Sequence, residues 1–227
     1  MKLNDNHYKI LKSSRLFKGL KEDEMEAALK ILSASYREYE KGDMLHQAGS
    51  PVKKFGLVLS GTVNVCTDDM GGSHMIMASI SPGHTFGEAL CYLKIKEPGM
   101  YAEAAEPVSL LWLTPGRLFH GTASHQKSAS PIIDKLQKNF TAMLAERMLA
   151  MNDRIQILSR LTLREKLTTY FSEMSHVTGS TTFNVPFNRE DMAAYLGTNR
   201  SALSRELANM KSEGLIDFYK NSFKILK

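Results

Sequence analysis

The chain has 227 residues, with 29 Lys/Arg against 24 Asp/Glu, a net charge of +5 and a pI near 9.1. That length allows one large domain or two small ones with real cores, and a 43% hydrophobic, 23% charged composition excludes a disordered, collagen-like or disulfide-stapled chain. No apolar run nears the roughly 18 residues of a membrane span. The opening MKLNDNHYKILKSS lacks the apolar core of a signal peptide, and two cysteines, Cys66 and Cys91, suit a reducing cytoplasm. The positive charge is uneven. Residues 1–130 hold 15 Lys/Arg and 14 Asp/Glu, whereas residues 131–227 hold 14 and 10, so +4 of the +5 lies in the second part. A basic C-terminal part suits a polyanionic partner or a solvated face, and charge alone does not choose between them.

Residues 20–32 (LKEDEMEAALKIL) predict a short helix, with acidic residues in its first turn and Met25, Ala28, Leu29 and Leu32 at helical spacing. From Tyr36 to Leu113 short apolar runs alternate with turn signals such as Lys41-Gly42-Asp43, Ser60-Gly61-Thr62 and Ser81-Pro82-Gly83. Phe55–Leu59, Val63–Thr67 and Ser109–Leu113 read as strands between them. Short strands with a turn roughly every 8–12 residues predict an all-β barrel or roll.

Between Pro131 and Gly179 there is no glycine. Ile132, Leu136, Phe140, Leu144, Met148, Met151, Ile155 and Leu158 recur at steps of three and four, one apolar stripe on a helix about 40 Å long at 1.5 Å per residue. Such a helix outreaches a small β domain. A second copy of itself is the economical cover, which makes Leu136, Phe140, Leu144, Met148, Met151 and Ile155 candidate dimer contacts; packing on the β domain alone is the competing reading. A break is expected near Arg160-Leu161. Thr162-Leu163-Arg164-Glu165 is a capping box that opens the next helix, which runs to about His176, and residues 177–182 form a Gly/Ser/Thr loop.

Asn188 can cap a helix carrying Met192, Ala193 and Leu196 on its apolar face, which stops at Leu196-Gly197-Thr198. A second helix starts from Asn199 and runs through Met210, with Leu203, Leu207 and Met210 inward and Arg200, Ser201, Ser204, Arg205 and Asn209 outward. Two helices joined by a short glycine turn define a helix-turn-helix, and two short strands around Lys220-Asn221 add a wing. A helix in the major groove reads bases from its first turns, with Arg the best donor pair for guanine. Asn199, Arg200, Ser201, Ser204 and Arg205 are therefore the candidate DNA-binding residues.

Leu59-Ser60-Gly61-Thr62-Val63, Phe86-Gly87-Glu88, the helix after Pro131, the run from Leu196 to Leu207 and Glu213-Gly214-Leu215-Ile216 together resemble the Crp/Fnr superfamily. The resemblance implies an α+β protein of three parts. These are an N-terminal double-stranded, jelly-roll-like β-roll sensor over residues 1–130, a dimerisation helix over 131–158, and a winged helix-turn-helix DNA-binding domain over 159–227. It implies a cytoplasmic homodimeric transcription regulator whose partners are double-stranded DNA, its own copy and RNA polymerase, with no membrane. Ser201 stands where family members often carry a base-reading glutamate, so the standard half-site is not expected.

In the cyclic-nucleotide branch, Phe-Gly-Glu and a following Arg-Ser pair hold the sugar and phosphate. Here Phe86, Gly87 and Glu88 match, but alignment on Ala102 puts Met100 and Tyr101 at the Arg-Ser positions, and the cations nearest in sequence are Lys94 and Lys96. A phosphate without a guanidinium loses its charge-assisted bonds, so cAMP is not expected by the usual mechanism. Phe86, Gly87, Glu88, Cys91, Met100 and Tyr101 are candidate lining of a more apolar effector pocket, or of one that takes nothing. No cofactor is evident, beyond an unidentified small-molecule effector. Two cysteines cannot supply four thiolates for an iron–sulfur cluster, and His46, His74 and His84 lack close ligand spacing for haem or a metal. No nucleophile elbow, Walker A loop or His-Glu zinc motif marks an enzyme. The rival reading is a small-molecule binding module whose C-terminal domain makes protein contacts.

Overall fold

A computed structural model describes residues 3–68, 74–119, 131–185 and 187–226. The chain divides within its longest helix into two units, Met1–Ala145 and Glu146–Lys227. The first unit opens with α1 (Asp5–Ser13), a 3-10 turn (Arg15–Phe17) and α2 (Glu22–Ile31). Helix α1 was not expected from the sequence. Its signal is Asn4, whose side chain accepts from the His7 amide at 2.9 Å while His7 Nδ1 accepts from the Asn4 amide, a capping box built with histidine in place of Glu.

The strands that follow are β1 (Ser35–Tyr39), β2 (Met44–His46), β3 (Phe55–Ser60), β4 (Val63–Asp68), β5 (His74–Ile80) and β6 (Thr85–Phe86). After the short α3 (Glu88–Tyr92) come β7 (Met100–Ala104), β8 (Val108–Leu113) and α4 (Gly116–Phe119). They form two four-stranded antiparallel sheets, ordered β1-β8-β3-β6 and β2-β7-β4-β5. This is the expected β-roll. Strand β3 is apolar and buried from Phe55 to Leu59 because both of its faces are covered. Phe55, Leu57 and Leu59 join a cluster with Leu11, Phe17 and Met25 of the helical side, while Val58 joins Val63, Ala102 and Leu110 between the sheets. The Ser60-Gly61-Thr62 turn, where the chain passes from one sheet to the other, requires glycine, since Gly61 has φ +74° and a Cβ there would strike the Pro107 carbonyl.

Helix α5 (Pro131–Leu158) is about 42 Å long at 1.5 Å per residue. Its apolar stripe divides. Leu136 and Phe140 are buried in the first unit's core, where Phe140 meets Phe55 edge-on at 6.0 Å and Leu144 packs partly. This end is also tied by Asn139 to the carbonyls of Leu16 and Lys18 and by Lys135 to Glu24 at 2.8 Å. Leu136 and Phe140, offered above as dimer contacts, are thus covered by their own chain. Met148, Met151 and Ile155 stay 59%, 60% and 61% exposed.

In the second unit Thr162 and Glu165 complete the capping box of α6 (Leu163–Thr178), which ends on Gly179. Then come β9 (Thr182–Asn184), α7 (Arg189–Tyr195), α8 (Arg200–Ser212), β10 (Ile216–Tyr219) and β11 (Ser222–Ile225). The wing sheet runs β10-β11-β9, with Phe183 of β9 opposite Phe223. Strand β9 lay at the end of the expected loop; three residues with one apolar side chain are too short to show a period. Among the described residues no helix is long and apolar enough to cross a membrane.

Candidate nucleic-acid interface and sensor pocket

The geometry of α8 follows from where its apolar residues go. Leu203, Leu207 and Met210 are buried against Leu167, Phe171 and Phe223, so Arg200, Ser201, Ser204, Arg205 and Asn209 are exposed on the other side. Asn199 caps the helix, its side-chain carbonyl accepting from the Ala202 amide at 2.8 Å, which leaves its Nδ2 free to donate outward. Asn188 caps α7 through the amides of Glu190 and Asp191. Between the two helices Gly197 has φ +64°, and the Thr198 amide returns to the Ala193 carbonyl at 2.9 Å.

Two ion contacts hold this frame. Arg164 at the start of α6 donates Nε to Glu206 at 2.6 Å and both Nη groups to Glu213 at 2.7 Å, a fork that pins α8 on α6. It holds the Glu213 carboxyl below its usual range and raises the already high value of Arg164. Lys166 donates to the Leu196 carbonyl at 3.1 Å, covering an end of α7. The arginines of the outer face are thus left to solvent, while Glu206 and Glu213 are occupied by Arg164. The face presents Arg200 and Arg205 with serines between them, a donor-rich surface on a rigid helix.

In the β-roll, α3 starts at Gly87 in the left-handed conformation (φ +78°), just after β6. A cavity of about 40 Å³ lies there, lined among others by Phe86, Gly87, Met100 and Tyr101 of the candidate pocket residues, and by His46, Lys54, Ala102 and Trp112, which the sequence did not single out as pocket residues. Cys91 turns instead into the core with Leu11 and Phe17, and Glu88 is buried at 1% exposure without lining the cavity. Lys54, rather than Lys94 or Lys96, is the cation at this cavity. Its contribution was invisible in sequence because residue 54 reaches the site only through the pairing of β3 with β6. The Tyr101 hydroxyl donates to Asp68 at 2.9 Å, and burial followed by that bond pushes its pKa up to about 12. Burial lowers the pKa of His46 from its ordinary value, favouring the neutral ring. Phe86 meets Trp112 edge-on at 5.5 Å, closing the inner wall. Among the described residues no three His, Cys, Asp or Glu gather as metal ligands, and both cysteines are free.

A two-sheet roll, a long helix and a winged helix-turn-helix with an exposed basic recognition helix define a class of DNA-binding transcription regulators. Comparisons place the chain within it. The family model of the cyclic nucleotide-binding domain matches residues 36–121, and that of the Crp-like helix-turn-helix domain matches residues 165–227. The cyclic AMP receptor protein of Thermus thermophilus is 27% identical over 206 residues, covering 91% of this chain and 89% of the relative. Among solved structures, the Thermus thermophilus catabolite activator protein superposes with a TM-score of 0.52 at 24% identity, covering 93% of each chain. The c-di-GMP responsive regulator CLP of Xanthomonas campestris gives 0.57 at 16% identity, covering 89% of this chain and 99% of that one. The chain belongs to the Crp/Fnr superfamily of transcription regulators, with a cyclic nucleotide-binding-type domain and a DNA-binding helix-turn-helix.

Proposed function

We propose that the chain works in the cytoplasm as a homodimer that reads a twofold-symmetric DNA site through α8 and answers to an effector other than cAMP, with RNA polymerase as a further partner. The observation that carries the DNA reading is the sorting of α8, apolar residues inward and Arg200, Ser201, Ser204 and Arg205 outward. Arg200 and Arg205 read guanine edges, and Ser201, too short to span to a cytosine amine, gives a half-site different from one read by glutamate. The exposed Met148, Met151 and Ile155, with Leu144 at the margin, support dimerisation through the second half of α5.

The effector reading rests on charge and room. Met100 and Tyr101 offer a phosphate no guanidinium, the Tyr101 hydroxyl is engaged by Asp68, and a cavity of about 40 Å³ must open before any ligand of ordinary size, several hundred Å³, can enter. The Thermus relative is named for cyclic AMP and CLP for c-di-GMP, so this fold hosts different effectors. A change in the roll would then alter the two α5 helices and the spacing of the recognition helices against successive major grooves, roughly 34 Å apart.

The test is gel-shift titration of the full-length protein on a duplex it recovers from a randomised pool. A dimer on a symmetric site is expected, with Arg200→Ala and Arg205→Ala each weakening binding by about 1–3 kcal/mol and relaxing specificity at one base. Monomer binding to a single half-site, or unchanged affinity and salt slope in both variants, overturns the reading. Saturating cAMP is expected to leave the melting temperature unmoved; a ligand at a hundred times its Kd would add about 2.7 kcal/mol. Native mass spectrometry of the purified protein would identify a retained effector.

A further inference from the structure

Arg189, the first residue of α7, is a cation that the recognition surface above does not use. Its Nη2 donates to the Lys220 carbonyl at 2.7 Å, and its guanidinium carbon lies 5.2 Å from the ring centre of Phe218 and 4.9 Å from that of Phe223. Those two phenylalanines are direct cross-strand partners of β10 and β11. The guanidinium therefore reaches both strands of the wing and the first residue of its two-residue turn. That residue, Lys220, is held at φ +50°, a left-handed conformation in which a side chain other than Gly is uncommon. Beyond the bridge the wing tip is open, with Tyr219 75% exposed and Lys220 and Asn221 also exposed.

A phosphate-facing arginine keeps its N–H groups toward solvent. Arg189 does not: its Nη1 is buried with no hydrogen-bond partner, an arrangement that costs desolvation and is offset here by the two ring faces. We propose that Arg189 is a positioning residue for DNA recognition, which ties the wing turn to the start of the helix-turn-helix so that Tyr219, Lys220 and Asn221 meet the duplex backbone in register with α8. The proposal rests on the DNA-binding reading above. It adds that the wing's contribution to affinity passes through a residue that itself touches no phosphate.

The test is a double-mutant cycle with the full-length protein on the duplex recovered from the randomised pool. Arg189→Gln is expected to weaken binding about tenfold, and to lower the salt slope as far as the wing-tip variant Tyr219→Ala/Lys220→Ala does. In that wing-tip background Arg189→Gln should cost less than about twofold, because there is no longer a contact to position. Arg189→Lys keeps a charge and a donor for the Lys220 carbonyl but cannot lie flat against two rings, so partial recovery is expected. It also carries the cycle if the Gln variant fails to fold. Equal losses in both backgrounds, or no loss in either, overturn the proposal while leaving DNA binding intact. A wild-type protein that recovers no duplex removes the DNA reading itself and the positioning role with it.

Discussion

Gly197 joins α7 to α8 at φ +64°, and a Cβ there would come within 3.3 Å of Leu158 Cδ2. Gly197→Ala should lower stability by about 1–2 kcal/mol, the cost of a left-handed alanine, read from urea unfolding; an unchanged midpoint would mean the turn relaxes freely. Cys91 is packed in the core, and burial pushes its thiol up to about 11; Cys66 is raised by burial and, less, by Glu103 and Asp68. Neither thiolate is populated near neutral pH. A disulfide reagent at that pH should label neither cysteine in the folded protein and both in denaturant. Labelling of native protein would show that at least one thiol is reachable and activated in the fold. At this scale the outward side chains of α8 were legible, because polar side chains at helical spacing opposite Leu203, Leu207 and Met210 must face outward. Lys54 and His46 were not legible as pocket residues, since only strand pairing brings them to Phe86 and Tyr101.

Helix α5 shows what a period leaves open. Three- and four-residue steps mark an apolar stripe, yet they are silent on what covers each part of it. Phe140 lies against Phe55 at 1% exposure, and Met151 is 60% exposed. Phe140→Ala should therefore reduce unfolding free energy by about 3–5 kcal/mol and leave the oligomeric state alone. Met151→Glu should do the opposite, dissociating the proposed dimer with little effect on the protomer. Light scattering and denaturant titration of both variants check this; a monomeric wild type, or a dimer indifferent to Met151→Glu, rejects the dimer face. The same limit explains α1 and β9. The first is set by a cap at Asn4 and by packing of Leu11 into the core, the second by pairing to β11.

Across the whole molecule, several carboxylates are held below their usual values by partners: Glu24 by Lys135, Glu213 by Arg164 and Asp217 by Lys211. A carboxylate lowered in the folded state adds stability above its unfolded value and loses it as pH falls through the lowered one. Arg164→Gln should accordingly destabilise the protein most near neutral pH, the gap to wild type closing once pH drops below the ordinary 4.5 of Glu213 and through its lowered value. Urea unfolding along that series checks it, and a gap independent of pH would assign the role of Arg164 to packing alone. The net charge behaves similarly. Its excess lies in residues 131–227, but Arg164 and Lys211 are engaged by carboxylates and Arg189 is turned against two aromatic rings, so the total says little about how many cations face DNA.

What the sequence by itself determined was the order of parts: an alternating-strand roll, a long helix and a winged helix-turn-helix with its outward arginines. Those follow from local periodicity, caps and glycine turns, which act between residues a few positions apart. Tertiary structure decided which half of the α5 stripe the protomer keeps for itself, that Cys91 belongs to the core, that the cavity beside Gly87 is small and bordered by Lys54, and that Arg189 grips the wing. Each of these is a meeting of residues distant in the chain, fixed by the burial of one apolar face against another, and no spacing within a segment encodes it.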